Sequence, residues 1–427
     1  MQPSTIEQKN KERGHHLSNT AHCRFCNEEL SDVFVDLGMS PLSNSYLKAS
    51  ELDQAEQFYP LTAMVCPSCF LVQLREYESP SDIFSDYAYF SSYSDSWLEH
   101  ARQYVEMVTE RFKISKDSLV VELASNDGYL LKNFLANGVP ILGIEPAENV
   151  AQAAIEKGIP TLVEFFGREL AEKLASENKR ADLIIGNNVL AHVPDINSFV
   201  GGIKTLLKPE GVATLEFPHL LNLIEENQFD TIYHEHFSYI SFLAVSAIFD
   251  SHGMNIFDVD EIPTHGGSLR IYASHKKSSH KEQDSTSALI DKELAAGLDQ
   301  MSTYYTFSEG VQQVKRDLLE KLIEIKNEGK TIAGYGAAAK GNTLLNYCGI
   351  RTDMVDYVVD RNPNKAGKFL PGTHIPVKDV STIKEDKPDY LFILPWNLKK
   401  EIIAQNSFIR EWGGKFIIPI PQVQIID

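Results

Sequence analysis

A chain of 427 residues is long enough for two or three domains, each with its own core. Forty basic against fifty-nine acidic side chains leave a formal charge of −19, which disfavours nucleic acid and anionic membranes as partners through repulsion. The first twenty residues are polar and hold no apolar core for a secretory signal or anchor, and no later apolar run is long enough to span a bilayer, so a cytoplasmic location is the default expectation.

Residues 1–20 read as a flexible tail. In residues 21–80, four of the five cysteines form two close pairs, Cys23-x-x-Cys26 and Cys66-x-x-Cys69. In a reducing compartment this spacing predicts one tetrahedral four-sulfur zinc site. All four positions are filled by thiolates, so the ion is expected to be structural; a redox dithiol would need only one pair. The segment between the pairs carries Gly38, Pro41, Pro60 and few apolar residues, a composition that needs a metal in place of an independent core.

Residues 86–97 are rich in aromatic and hydroxyl side chains and run into a helical pattern through Val108. They suit either a lid facing a ligand or interdomain packing. From residue 119 strands and helices alternate: strands are predicted at 119–123, 141–145, 160–163, 182–187, 212–217, 256–262 and 269–273, with helices between the earlier ones. That is a doubly wound α/β domain, and its ligand belongs beyond the carboxyl ends of the strands. The first turn runs from Glu122 to Gly128 through small residues. It lacks the glycine fingerprint that accommodates a pyrophosphate, so a cofactor with a ribose but no phosphates fits better. Glu145, after the second strand, is placed to accept from ribose hydroxyls. Asn188 and His192 stand four apart just past the fourth strand, where one helical turn would bring both to the cofactor edge.

Residues 233–239, Tyr-His-Glu-His-Phe-Ser-Tyr, put two imidazoles, a carboxylate and two phenols into seven positions. As a helical turn the stretch pairs Tyr233 with His236; as a strand it pairs Tyr233 with Glu235 and His234 with His236. Only the first sets a base beside an acid. A histidine can take a proton near neutrality, and a nearby phenol can donate to an oxygen on which charge develops, which together remove a proton next to a carbonyl. A buried aromatic segment with merely satisfied polar tips is the plainer alternative. The imidazoles are two apart, so the four-apart spacing of a zinc metalloprotease is not met.

Residues 264–270 give a glycine turn, with Gly266, before a strand that carries Arg270, a candidate phosphate contact. Residues 276–300, rich in Lys, Ser and Asp, read as a connector. An amphipathic helix from 307 to 327 then leads into a second α/β unit. There Gly334-x-Gly336-x-x-Ala339 opens a helix and Asp360 ends the next strand, as a diphosphate site with its ribose acid would. Lys340 adds charge, and Lys365 and Asn397 lie where they could close over a ligand.

From Cys23 onward these features together resemble the bacterial nucleotide-sugar C-methyltransferases. The motifs that carry the resemblance are the two cysteine pairs, Tyr87-Ala88-Tyr89, residues 121–129, 188–194, 233–239, 265–270 and 334–342. The resemblance implies an N-terminal zinc module (21–80), a central class I S-adenosylmethionine-dependent domain (81–275) and, after the 276–300 linker, a C-terminal Rossmann-like domain (301–427). It implies methylation at C3 of a nucleotide-diphosphate-linked 4-keto deoxysugar. His236 would be the base and Tyr233 the enolate stabiliser, with Glu235, His192 and Tyr87 in the same pocket. S-adenosylmethionine would be held by Glu122, Ala124, Asn126, Gly128, Tyr129, Glu145, Asn187 and Asn188. The nucleotide sugar would be held by Gly266, Arg270, Gly336, Lys340, Asn342, Asp360 and Lys365, and zinc by Cys23, Cys26, Cys66 and Cys69. A monomer or weak homo-oligomer is expected. Two rival readings are an NAD-dependent nucleotide-sugar dehydrogenase using the turn at Gly334, and a zinc-ribbon adaptor with inactive enzyme domains.

Overall fold

The computed structural model describes residues 21–77, 91–93 and 95–427; Tyr87 and most of the aromatic stretch around it lie outside them. The N-terminal part opens with a short hairpin, β1 (Ala21–His22) against β2 (Glu29–Leu30), and continues into an antiparallel sheet of β3 (Asp32–Ser40), β4 (Tyr59–Val65) and β5 (Val72–Leu74). Its buried apolar residues join the cores of the other two domains instead of forming one of their own. Phe34 of β3 stacks face to face on Phe307, with ring centroids 4.5 Å apart, and meets Tyr304 edge-on. Both partners sit on the long helix Met301–Asn327, so the sheet borrows its core from the C-terminal half.

The central sheet is built from β6 (Val120–Leu123), β7 (Ile141–Ile144), β8 (Thr161–Leu162), β9 (Ala181–Asn187) and β10 (Leu207–Pro218), all parallel. A short strand, β11 (Ser238–Tyr239), follows. Then β12 (Met254–Ile262) and β13 (Ser268–His275) complete the sheet in the order β12-β13-β10-β9-β6-β7-β8, with β13 antiparallel to both neighbours. The inner strands are covered on both faces: every residue of β6, Glu122 included, is buried. The carboxyl ends of β6, β7, β9 and β10 face one side, and all the loops considered below leave from there.

The stretch expected as a connector contains the helix Asp284–Ala295, packed on β12 and on the helix Phe242–Ser251. Its Glu293 is fully buried, accepts from the N–H groups of Phe242 (2.6 Å) and Leu243 (2.8 Å), and pairs with His219 at 2.7 Å. A carboxylate on a helix N-terminus satisfies donors that the helix cannot. Its polar outer face, with Asp284, Ser287, Asp291 and Lys292 exposed, hid this element in the sequence.

The C-terminal domain is a six-stranded sheet of β14 (Ile332–Tyr335), β15 (Tyr357–Asp360), β16 (Val377–Asp379), β17 (Tyr390–Ile393), β18 (Lys415–Ile418) and β19 (Gln424–Ile426), ordered β16-β15-β14-β17-β18-β19 and parallel except at β19. No helix among the described residues is long and apolar enough to cross a membrane.

Candidate active site

A cavity of about 450 Å³ opens at the carboxyl ends of the central strands, and all three parts of the chain line it. The N-terminal module supplies Asn44, the central domain supplies Asn126, Glu145, Asn188, His192, Tyr233 and His236 among others, and the C-terminal domain supplies Lys340 and Lys365.

Residues 233–236 form a single tight turn, closed by the His236 N–H on the Tyr233 carbonyl at 2.8 Å. Neither a helix nor a strand follows at once, but the turn has the helix-like consequence: the rings of Tyr233 and His236 lie side by side, centroids 4.0 Å apart. Three contacts pin the stretch. Phe237 donates to the Ala191 carbonyl (2.7 Å), Leu74 donates to the Phe237 carbonyl (3.0 Å), and Thr343 donates to the Ile232 carbonyl (3.0 Å). β11 then pairs with β5, so the segment ends as the fourth strand of the N-terminal sheet. His234 turns away and donates to the Pro60 carbonyl at 3.2 Å.

Hydrogen bonds fix the protons. Nδ1 of His236 faces the Thr231 carbonyl at 2.8 Å, which can only accept, so the ring proton sits on Nδ1 and Nε2 accepts from the Tyr233 hydroxyl at 2.8 Å. Burial, together with the nearby His192, holds the His236 ring well below the usual imidazole range, and it is therefore neutral. His192 is arranged alike: Nδ1 donates to the Glu235 carbonyl at 2.8 Å, and burial pushes its pKa down to about 4. Glu235 is 4 % exposed and accepts from the Asn44 amide at 2.6 Å, and burial pushes its carboxyl up to about 7.

At the cofactor end, the turn after β6 holds Ala124 (φ 53°), Asn126 (φ 49°) and Gly128 (φ 76°) in the left-handed region. Two non-glycine residues there are strained, and the turn they make brings the Asn126 N–H to Glu145. Its carboxylate accepts from Asn126 N and Ala147 N, both at 2.9 Å, and burial raises its pKa. Both side-chain amide atoms of Asn187 and the side-chain Oδ1 of Asn188 are buried without a partner among the described residues. Buried polar atoms almost always have one, and orphans lining a cavity next to Glu145, Ala124 and Tyr129 fit the adenosyl and amino-acid groups of S-adenosylmethionine. Glu122 and Gly128, expected among the cofactor contacts, do not line the cavity. Glu122 lies beneath the turn, its pKa raised by burial and by its neighbours Glu145 and Asp127. Gly128 serves packing, since a Cβ would meet Ile159 at 2.7 Å.

At the far end, Lys340 donates to Asn397 at 3.0 Å and Lys365 to the Ala337 carbonyl at 2.6 Å, both on the cavity wall. The other residues expected to hold the acceptor do not line it. Arg270 is directly opposite Glu216 across the β10–β13 pair and bonds to it at 2.6–2.7 Å, so its charge is already engaged. Asn342 donates to the Ser43 carbonyl at 2.6 Å and ties the N-terminal module down. Asp360 accepts from Ala337 N and Asn362 N, each at 2.8 Å, and so closes the glycine turn from within. Gly336 and Gly266 are turn residues (φ 89° and 93°) pressed against Pro395 and Trp396. The sequence reading missed Asn44, Trp97 and His265 as wall residues. Trp97 and His265 lay in segments already singled out; Asn44, in an unremarkable loop, gave no signal.

The four cysteine sulfurs lie within 4.8 Å of one another, three of the pairs at 3.5–3.6 Å. A tetrahedral zinc with bonds of about 2.3 Å needs sulfurs about 3.8 Å apart, so the set fits the ion. The two knuckles repeat one geometry: a left-handed residue, Asn27 or Phe70, donates its N–H back to Cys23 or Cys66 at 2.9–3.0 Å. Gln73 donates to the Cys23 sulfur at 3.2 Å, a second layer of support.

Residues 23–84 match a zinc binding domain, residues 97–259 a methyltransferase domain and residues 263–421 a C-methyltransferase C-terminal domain. The C-methyltransferase NovU of Streptomyces niveus is 35 % identical over 95 % of this chain and 96 % of its own. The ubiquinone biosynthesis O-methyltransferase of Bartonella tribocorum is 30 % identical over 22 % of this chain and 40 % of its own. Magnesium protoporphyrin IX methyltransferase of Synechocystis, solved with bound SAH, covers 42 % of this chain and 83 % of its own at 14 % identity and a TM-score of 0.33. The full-length match sets the dehydrogenase reading aside: with a four-cysteine zinc domain, a methyltransferase domain and a second α/β domain in one order, the chain belongs to the S-adenosylmethionine-dependent C-methyltransferases.

Proposed function

We propose that this C-methyltransferase acts on C3 of a nucleotide-diphosphate-linked 4-keto deoxysugar. The observation that carries the reading is the Tyr233–His236 pair, a neutral imidazole with its lone pair directed at a phenol that can itself donate. A 4-ketone acidifies the hydrogen on C3. Nε2 of His236 takes that proton, the electron pair moves toward the ketone oxygen, and the Tyr233 hydroxyl donates to that oxygen as charge builds on it. His192 and Glu235 border the same space, and Lys340 and Lys365 supply the positive charge a diphosphate would need. When bound against Glu145, Asn187 and Asn188, S-adenosylmethionine supplies an electrophilic methyl group. The protein's own contribution is to hold C3 in line with it in the cavity, and positioning of this kind is worth several orders of magnitude in rate.

Incubation with S-adenosylmethionine and a panel of 4-keto nucleotide sugars, followed by mass spectrometry, is expected to give one product heavier by a methylene. A panel that yields no such product while the cofactor binds would refute the reading of the substrate.

A further inference from the structure

His265 is held in the left-handed region (φ 56°, ψ 20°) immediately before two glycines, Gly266 and Gly267, which also have positive φ. A glycine would take this conformation at no steric cost, whereas a histidine does not. Such strain persists where the surroundings over-determine it, and it gathers at ligand sites. Here the surroundings do: Gly267 donates to the Thr264 carbonyl at 2.9 Å, Gln228 donates to the Gly266 carbonyl at 2.7 Å, and Trp396 packs against Gly266.

The imidazole presented by this turn is part of the cavity wall, with the Trp97 ring 5.2 Å away. Its Nε2 accepts from the Asn188 amide at 2.9 Å, so the ring proton resides on Nδ1. Asn188 is itself left-handed (φ 54°), which makes this a bond between two strained residues. Burial, with Lys340 nearby, pushes the His265 pKa down to about 4 and keeps the ring neutral. Nδ1 makes no hydrogen bond among the described residues.

We propose that His265 touches the acceptor, donating from Nδ1–H to one of its oxygens, with Asn188 fixing the tautomer. The proposal rests on the acceptor occupying the cavity between the cofactor end and Lys340. An uncharged donor suits that place: it selects an oxygen by position and sets no second positive charge beside the sulfonium of the methyl donor.

Three variants and one spectrum test it on the full chain. His265→Gly removes the donor and relieves the backbone. It should leave the Tm unchanged or higher and S-adenosylhomocysteine affinity unchanged, and lower kcat/KM for the acceptor by roughly 30-fold, as loss of one well-placed hydrogen bond does. His265→Asn keeps an N–H near the same place and tolerates the left-handed conformation, so it should recover most of that loss; His265→Leu, which lacks the donor, should not. In ¹⁵N-histidine spectra at neutral pH, His265 should carry its proton on Nδ1. An Nε2 proton, an imidazolium, or a His265→Gly variant with lowered Tm and unchanged kcat/KM would overturn the proposal. If the wild-type protein methylated no keto-sugar nucleotide, the substrate reading would fail separately. The tautomer and the Tm of His265→Gly would then still decide for or against a donor held by strain.

Discussion

Nδ1 of His236 is committed to the Thr231 carbonyl, so the ring has one nitrogen left for chemistry, and that nitrogen faces Tyr233. His236→Asn removes the proposed base without adding bulk. Methyl transfer should fall by at least about 10²-fold, the usual worth of a positioned general base, while calorimetry should find S-adenosylhomocysteine affinity within about threefold of wild type by the same logic of a group that acts only in the transition state. A large loss of affinity would make His236 a cofactor contact instead. Glu235 gives a prediction in pH. Its folded pKa of about 7 lies above the value of a free carboxyl, so folding favours the protonated acid. The cost of ionising it in place therefore appears as pH rises past the unfolded value, and is complete above the folded one, at up to about 3 kcal/mol. Glu235→Gln should raise Tm at pH 8 by several degrees, with the advantage vanishing toward pH 4; an advantage independent of pH would contradict the assignment. At this scale the sequence revealed what lies close along the chain. The three-residue spacing of Tyr233 and His236 survives in a tight turn as it would in a helix. The pairing of Arg270 with Glu216 was not legible because strand register sets it, and Asn44 was invisible because it meets Glu235 across 191 positions.

Among the elements, the first zinc knuckle has a reach beyond its metal. Arg24, between Cys23 and Cys26, donates to the Leu74 carbonyl at 2.5 Å and to the Pro194 carbonyl at 3.0 Å, two residues past His192. β5, which starts just after Cys69, pairs with β11 at the end of the active turn. Zinc removal by a chelator, or Cys66→Ala, should thus lower Tm and abolish methyl transfer together, as a structural ion that underwrites folding would; metal-free protein with full activity, measured by metal analysis beside the assay, would contradict this. The cysteine pairs were legible because two thiolates per knuckle need a fixed short spacing. The helix Asp284–Ala295 was not, because a mostly solvated face carries its Lys and Ser residues while Thr286, Leu289 and Glu293 alone are buried.

Across the whole molecule, the order of parts was readable from motifs that follow one another along the chain, whereas their interlocking was not, since it rests on contacts between distant segments. One hydrophobic core takes in Phe34 and Leu61 of the N-terminal sheet, the helix Met301–Asn327 and the strands of the C-terminal domain. Tyr46 donates to the Ala337 carbonyl at 2.5 Å, and Trp396 donates to the buried Asp230, three positions before Tyr233, at 2.7 Å. The cavity is thus a place where three lobes meet around one turn, and the chemistry assigned to that turn can be observed without methyl transfer. With S-adenosylhomocysteine and a 4-keto nucleotide sugar bound in D₂O, NMR should show hydrogen at C3 exchanging for deuterium in wild-type protein, and no exchange above the solvent rate in His236→Asn. Bound substrate that keeps its C3 hydrogen in the wild-type protein would contradict proton removal by His236.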